Sequence, residues 1–230
     1  MTSPPPGLAW IAGVGASGGL GAALARRFAA GGLVVAVTGR HAVRLQALAA
    51  EIVDAGGQAH ALPGDVSSDN DVERLSRALA SLGTLRSAVF NAGNAVRGTP
   101  LELTPADFES TWRGSTYAGF LFARAALPRL LAAGGGSLLF TGATASLRGR
   151  GPFVAFAAAK AGLRSVAQSL AREYGPAGVH VAHVIIDGGI GGEDRLLSPA
   201  AIAETYWQLH EQHRSAWTHE LDLRPYRENF

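Results

Sequence analysis

Residues 8–30 place a strand, a glycine turn and a helix start in direct succession, and no other stretch constrains the fold as much. The apolar run 8–14 leads into Gly15-Ala16-Ser17-Gly18-Gly19-Leu20-Gly21, and an Ala/Leu-rich pattern at helical spacing continues to Ala30. A helix start offers unpaired backbone N–H groups and the positive end of the helix dipole, and glycines let an anion approach that backbone closely. We read the stretch as a cradle for a diphosphate.

The rest of the chain repeats the alternation. Apolar runs at 33–38, 58–62, 85–90, 137–141 and 179–186 read as strands, with a last one at 217–223. Helical spacing fills the intervals: 43–53, a stretch opened by Ser68 and Asp71 as a capping box, 105–131 with a bend, 152–174, and 199 to about 215. Thr104-Pro105 and Ser198-Pro199 each give a cap followed by proline at the first helical position. Six or seven strands alternating with helices predict a single Rossmann-type α/β domain, a doubly wound parallel sheet with helices on both faces. In such sheets ligands bind beyond the carboxyl ends of the strands. The residues that matter most are therefore 15–21, Gly39-Arg40, Asp65-Val66, Asn91-Ala92-Gly93, 142–146 and 187–189.

At 230 residues and 47% hydrophobic content the chain suits one well-buried domain, expected over 8–230 after a Pro-rich arm at 1–7. Residues 193–230 lose glycine and gain aromatics, as expected of a lid or a subunit contact. A net charge of only +2, with arginines dispersed, gives no basic patch for nucleic acid. No apolar run is long enough to span a membrane without glycine or charge, and 1–7 lack a signal-peptide pattern. A cytoplasmic protein is expected. Cysteine is absent, which excludes disulfides and thiol catalysis.

Two patterns are decoys. Gly15-Ala16-Ser17-Gly18-Gly19 fits the Gly-x-Ser-x-Gly elbow of serine hydrolases, but there several strands precede the elbow, whereas here only one does. His210, His213 and His219 lack an acidic ligand to complete a metal site, and no metal is expected. A further point is compositional: among twenty basic side chains, Lys160 is the single lysine. Lysine and arginine are not interchangeable where geometry is tight.

Taken together, these motifs resemble the short-chain dehydrogenase/reductase family from residue 8 to about 223. Gly15, Ser17, Gly18, Gly19, Leu20 and Gly21 resemble its cofactor loop, with Val14 where threonine is usual. Asp65 and Val66 resemble its adenine-contacting pair, and Asn91, Ala92 and Gly93 its Asn-Ala-Gly turn. The resemblance implies a nicotinamide cofactor, a small-molecule substrate and a homo-oligomer, dimer or tetramer, formed through helices 105–131 and 152–174. At the end of the second strand, Gly39 replaces the acid that binds NAD ribose, and Arg40 follows. A guanidinium can pair with the extra phosphate of NADP, so NADP(H) is expected over NAD(H).

The catalytic half departs from the family. Counting back from Lys160, the tyrosine position holds Phe156 and the serine position Ala143, while Ser115 stands near the family's asparagine. Phe156 and Ala143 neither protonate nor hold a developing alkoxide, losses that cost about 10²–10⁴ and 10²–10³ in rate. Lys160, Ser115 and Thr144 remain as candidates for the chemistry. Asp187-Gly188 stands where Pro-Gly usually borders the nicotinamide, with Gly188 a cofactor contact. Phe156, the retained Lys160 and the ending Trp217 to Pro225 resemble an atypical subgroup with Phe for Tyr. Two readings follow. One is an NADP(H)-dependent oxidoreductase acting on a substrate that needs little proton donation, such as an iminium or conjugated alkene, or using a substitute acid. The other is a non-catalytic NADP(H)-binding sensor or scaffold; a serine hydrolase is a remote third.

Overall fold

Strands that are apolar on both sides can only be buried on both sides, and the chain meets that demand with a seven-stranded sheet between two helical layers. The structure, a computed structural model, describes residues 5–192 and 196–227. The strands are β1 (Gly7–Ala12), β2 (Val34–Gly39), β3 (Gln58–Pro63), β4 (Thr84–Phe90), β5 (Gly136–Thr141), β6 (Val179–Ile186) and β7 (Glu220–Leu223). They lie in the order β3-β2-β1-β4-β5-β6-β7, all parallel.

Each strand feeds side chains alternately into the two layers. Leu8, Trp10 and Ala12 of β1 join α3 (Asp69–Leu79), α5 (Ala118–Ala132) and α6 (Val154–Tyr174) in one core. Ala9 and Ile11 join α1 (Leu20–Ala30), α2 (Ala42–Asp54) and α7 (Pro199–Glu211) in the other. Trp10, completely buried, satisfies its indole by donating to Thr38 Oγ1 at 3.0 Å. No helix among the described residues is long and apolar enough to cross a membrane.

Several boundaries differ from the sequence expectation. The first strand stops at Ala12 because Gly13, at φ 85°, turns the chain. Ser68 caps α3 through the Asp71 N–H, but the reciprocal half of the expected box is missing, since the Asp71 carboxylate accepts from the Asp65 N–H instead. The full box forms at Thr104 and Asp107, which open α4 (Pro105–Trp112). The expected bend is a π-helical turn, Arg113–Tyr117, that joins α4 to α5. The last helix ends at Glu211, where Gln212 turns extended, rather than near 215.

The ends of the domain are also more integral than expected. Residues 1–4 lie outside the described residues, but Pro6 O accepts from Thr84 N at 2.9 Å and Gly7 already belongs to β1. Within 193–230, residues 193–195 and 228–230 lie outside the described residues. In the remainder, Tyr206 and Leu209 of α7 are core side chains and β7 extends the sheet.

Gly13 is the tightest joint: a Cβ there would lie 2.3 Å from Ala92 N. Gly13→Ala combines a positive φ, costing about 1–2 kcal/mol, with overpacking against backbone, costing about 1–3 kcal/mol. It should lower the urea midpoint accordingly; a midpoint equal to the parent's would show that β1 and β4 separate freely here.

Candidate functional site

The glycine turn is shaped by what holds it and left open where a ligand would lie. The N–H groups of Gly13 and Val14 both donate to Thr38 O at 3.0 Å, fixing the turn to β2. Asn91 N donates to Ala12 O at 2.9 Å and Asn91 Nδ2 to Gly13 O at 3.1 Å, fixing it to β4. Gly21 brings α1 against that turn, with room for no Cβ: one there would lie 2.7 Å from Gly13 O. At Gly15 and Gly18, by contrast, an added Cβ would meet nothing within 4 Å. Gly19 caps α1 with no side-chain bond, and the first turn carries no acid. Free N–H groups, a positive dipole end and no competing carboxylate suit a diphosphate, so the residues present fit the implied cofactor.

Ser17 presents its hydroxyl to Arg26, which donates to Ser17 Oγ at 2.7 Å and to Ser17 O at 2.8 Å. A guanidinium cannot take the proton that a nucleophilic serine must lose. The three histidines of the other decoy have separate partners: His210 meets Ser137 Oγ, His213 meets Ser215 Oγ, and His219 meets Val181 O. No cluster able to hold a metal ion occurs among the described residues.

Beside the turn lies a cleft of about 550 Å³ lined by Gly15, Gly39, Arg40, Arg44, Asp65, Val66 and Asn91-Ala92-Gly93, among others. Gly39 is confined, since a Cβ there would lie 2.3 Å from Val14 O. An acid at 39 would therefore need a different course of backbone. Asp65 is held by its neighbours, its Oδ1 accepting from Ser67 N at 2.8 Å and Ser67 Oγ at 2.7 Å. Arg40 and Arg44 are exposed and make no ion pair among the described residues. Arg44 was not singled out from sequence; its signal was its place on the first turn of the helix that Arg40 precedes.

A second cleft, of about 800 Å³, adjoins the first through Asn91, Gly93 and Asn94. Its lining brings together Leu20, Ala143, Thr144, Phe156, Lys160, Asp187 and Gly188, drawn from four segments of the chain. Lys160 comes from the first turns of α6 and is buried, donating from Nζ to Thr141 O at 2.9 Å. Its ammonium lies 5.9 Å from the Phe156 ring centroid. Burial pulls its pKa from the lysine value of 10.5 to about 8.

Ser115 lies close to Lys160: a Cβ on Gly93 would sit 3.2 Å from Ser115 Oγ and 3.3 Å from Lys160 Nζ. The π-helical turn that carries Ser115 buries it fully, with no hydrogen-bond partner for its hydroxyl among the described residues. An orphaned buried hydroxyl is costly, by about 1–3 kcal/mol; Ser115 lies behind the cleft walls and lines neither cleft, so the expected role for it in the chemistry is not supported by its position. Thr144 Oγ1 donates to Asp187 Oδ1. Sequence reasoning saw Asp187 but not its setting: Arg224 Nε lies 3.1 Å and Arg148 Nη2 3.9 Å from Oδ2. The loop carrying Ala143 and Thr144 is braced from behind by Ser146, whose Oγ accepts from Ala143 N at 3.1 Å and meets His183 Nε2 at 3.3 Å. Burial drives the His183 pKa down to about 4, so this brace is neutral.

The buried lysine gives a pH signature. Below about pH 8 both folded and unfolded chains hold its proton. Between about 8 and 10.5 only the unfolded chain does, so stability rises with pH through that window. The gain is about 3 kcal/mol at most. Urea unfolding compared with Lys160→Met should show a rise in the parent that the variant lacks. Parallel pH profiles would mean that Lys160 is not desolvated.

The family model described as short chain dehydrogenase matches residues 9–190. The oxidoreductase asL5 of Sarocladium schorii is 32% identical over 191 residues, covering 82% of this chain and 70% of that protein. A short-chain dehydrogenase structure from Rhodopseudomonas palustris superposes with a TM-score of 0.86 at 42% identity, covering 96% of this chain and 98% of that one. A metagenomic short-chain oxidoreductase in complex with NADP gives a TM-score of 0.85 at 28% identity, covering 97% and 99%. The matched span carries the strand–turn–helix loop, both clefts and Lys160, and this chain belongs to the short-chain dehydrogenase family.

Proposed function

We propose that this chain is an NADP(H)-dependent oxidoreductase that works without the family's serine and tyrosine. The observation that carries the cofactor choice is the arrangement around β2: no acid at Gly39, no room for one, and two arginines without ion pairs among the described residues, Arg40 and Arg44, lining the same cleft. Paired guanidiniums suit a phosphate on the adenosine ribose, and the metagenomic relative in complex with NADP supports the reading.

The bound nicotinamide supplies hydride transfer. Gly15, Gly18 and the first turn of α1 hold the diphosphate; Asp65 and Val66 border the adenine. Lys160 is placed to donate to the nicotinamide ribose, as its family counterpart does. Ala143 and Phe156, at the serine and tyrosine positions, offer the reacting oxygen no hydroxyl. Thr144 then offers a hydroxyl on the cleft wall, donated to Asp187. A substrate whose reduction demands little proton donation suits such a wall. The apolar residues at 143 and 156 also favour the second reading, a protein that binds NADP(H) as sensor or scaffold. Phe108, Trp112 and Phe120, exposed on α4 and α5, support the expectation of a homo-oligomer through these helices.

Two experiments separate these readings. In fluorescence titrations NADPH should bind more tightly than NADH, and Arg40→Ala with Arg44→Ala should weaken NADPH by about ten- to a hundredfold, the worth of one or two charge-assisted bonds. NADH should change little, and equal affinities in the parent would overturn the cofactor assignment. For the chemistry, turnover of conjugated ketones should fall about a hundredfold in Thr144→Val. Failure of the parent to turn over any member of a broad panel, with ketone reduction appearing only in Ala143→Ser/Phe156→Tyr, would establish the binder.

A further inference from the structure

The second cleft carries more positive charge than its cofactor role requires. Arg148 and Arg150 stand on the loop between β5 and α6, line the cleft and are exposed. Lys160 adds a third cation on the wall. Asp187 is the single carboxylate among the described lining residues. Its oxygens are already served by the Thr144 hydroxyl and by Arg224 at 3.1 Å. Arg148 stays at 3.9 Å, outside hydrogen-bond range, and Arg150 makes no ion pair among the described residues. The same lining carries six apolar side chains: Ala143, Ala145, Phe153, Phe156, Ile186 and Ile190. The Phe153 and Phe156 rings lie 6.5 Å apart, and the Arg97 guanidinium lies over the Phe153 ring, 5.0 Å from its centroid.

We propose that Arg148 and Arg150 recognise an anionic tail, carboxylate or phosphate, on a substrate whose apolar, conjugated body lies along Phe153 and Phe156. The inference rests on the oxidoreductase reading and narrows it. Of the two substrate types suited to a site poor in proton donors, an iminium brings a fixed positive charge against three cations and is disfavoured. A conjugated carbonyl compound with an acidic tail meets complementary charge at one end and an aromatic wall along its length. Two guanidiniums at the mouth of an apolar cleft also focus the field on an approaching anion, so association should weaken as salt rises.

The test uses the full chain saturated with NADP⁺, titrated by calorimetry with a series of benzylideneacetones. Its members bear a para carboxylate, carboxymethyl or phosphate group, the matching methyl esters, or a para trimethylammonium group. At least one anionic member should bind about tenfold or more tightly than its ester at low ionic strength. That preference should shrink at physiological salt, halve on a logarithmic scale in Arg150→Gln and vanish in Arg148→Gln/Arg150→Gln. NADPH affinity, measured separately, should be unchanged in both variants. Equal binding of acids and esters, tighter binding of the cationic member, no saturable binding by any anionic member, or a preference that survives the double variant would each overturn the proposal. Loss of NADPH binding in the parent would instead overturn the oxidoreductase reading, so the two failures are distinguishable.

Discussion

Everything in this molecule hangs on the joint between β1 and β4. The sheet reverses its winding there, β1 leading to β2 on one side and β4 to β5 on the other, so the loops that follow the two strands diverge and leave a crevice. The divergence must begin without unpairing the strands. Asn91 solves this by donating its backbone N–H to Ala12 O and its side chain to Gly13 O, replacing the ladder bond that the turning chain gives up. Gly13 accepts a left-handed φ and a contact that no side chain would permit. The glycine turn, both clefts and the position of Lys160 relative to Gly93 follow from that joint.

From the joint outward, the two clefts solve opposite electrostatic problems. The first is polar and solvated, so arginines can serve an anion there while keeping their charge hydrated when it is absent. The second draws an ammonium into the protein interior. Lys160 retains one carbonyl, Thr141 O, and one aromatic face, Phe156, and burial lowers its pKa accordingly. A phenol at 156 would give that ammonium a neighbour whose ionisation it could assist; a phenyl ring gives only its quadrupole, worth about 0.5–2 kcal/mol. On the proposed reading the lysine thus serves binding, and the remaining protic chemistry falls to Thr144, since Ser115 is fully buried and lines neither cleft.

The sheet was legible because its causes are local. Apolar β-branched runs, glycine stops and the Thr104-Pro105 start act over a few residues, and the element order followed from them. Errors came where a distant partner competed with a local rule. Asp71 was expected to close a box with Ser68, but the Asp65 N–H, brought near by the loop after β3, takes its carboxylate. The bent helix expected through residue 115 did form, but not the consequence of its bend: the π-turn there buries Ser115 without a hydrogen-bond partner among the described residues. The cofactor loop was equally legible, being one contiguous motif. Asp187's environment was not, because Thr144 and Arg148 come from the loop after β5 and Arg224 from beyond β7, and no spacing rule links residues 144 and 224.

That non-local cluster bears on how the missing hydroxyls should be understood. Removing a serine and a tyrosine from a polar site would ordinarily leave unsatisfied partners behind, at a cost of about 1–3 kcal/mol each. Here the neighbours are satisfied in other ways: Ala143 N by Ser146 Oγ, Lys160 Nζ by Thr141 O, and Asp187 by Thr144 and Arg224. Among the described residues the exceptions include Ser115 Oγ, buried beside the lysine, and His183 Nδ1, which lies 3.5 Å from Glu220 Oε2 without a hydrogen bond. A site that had merely decayed would have little reason to keep its remaining polar groups so closely paired. On physical grounds the pattern is that of a wall rebuilt around an apolar surface.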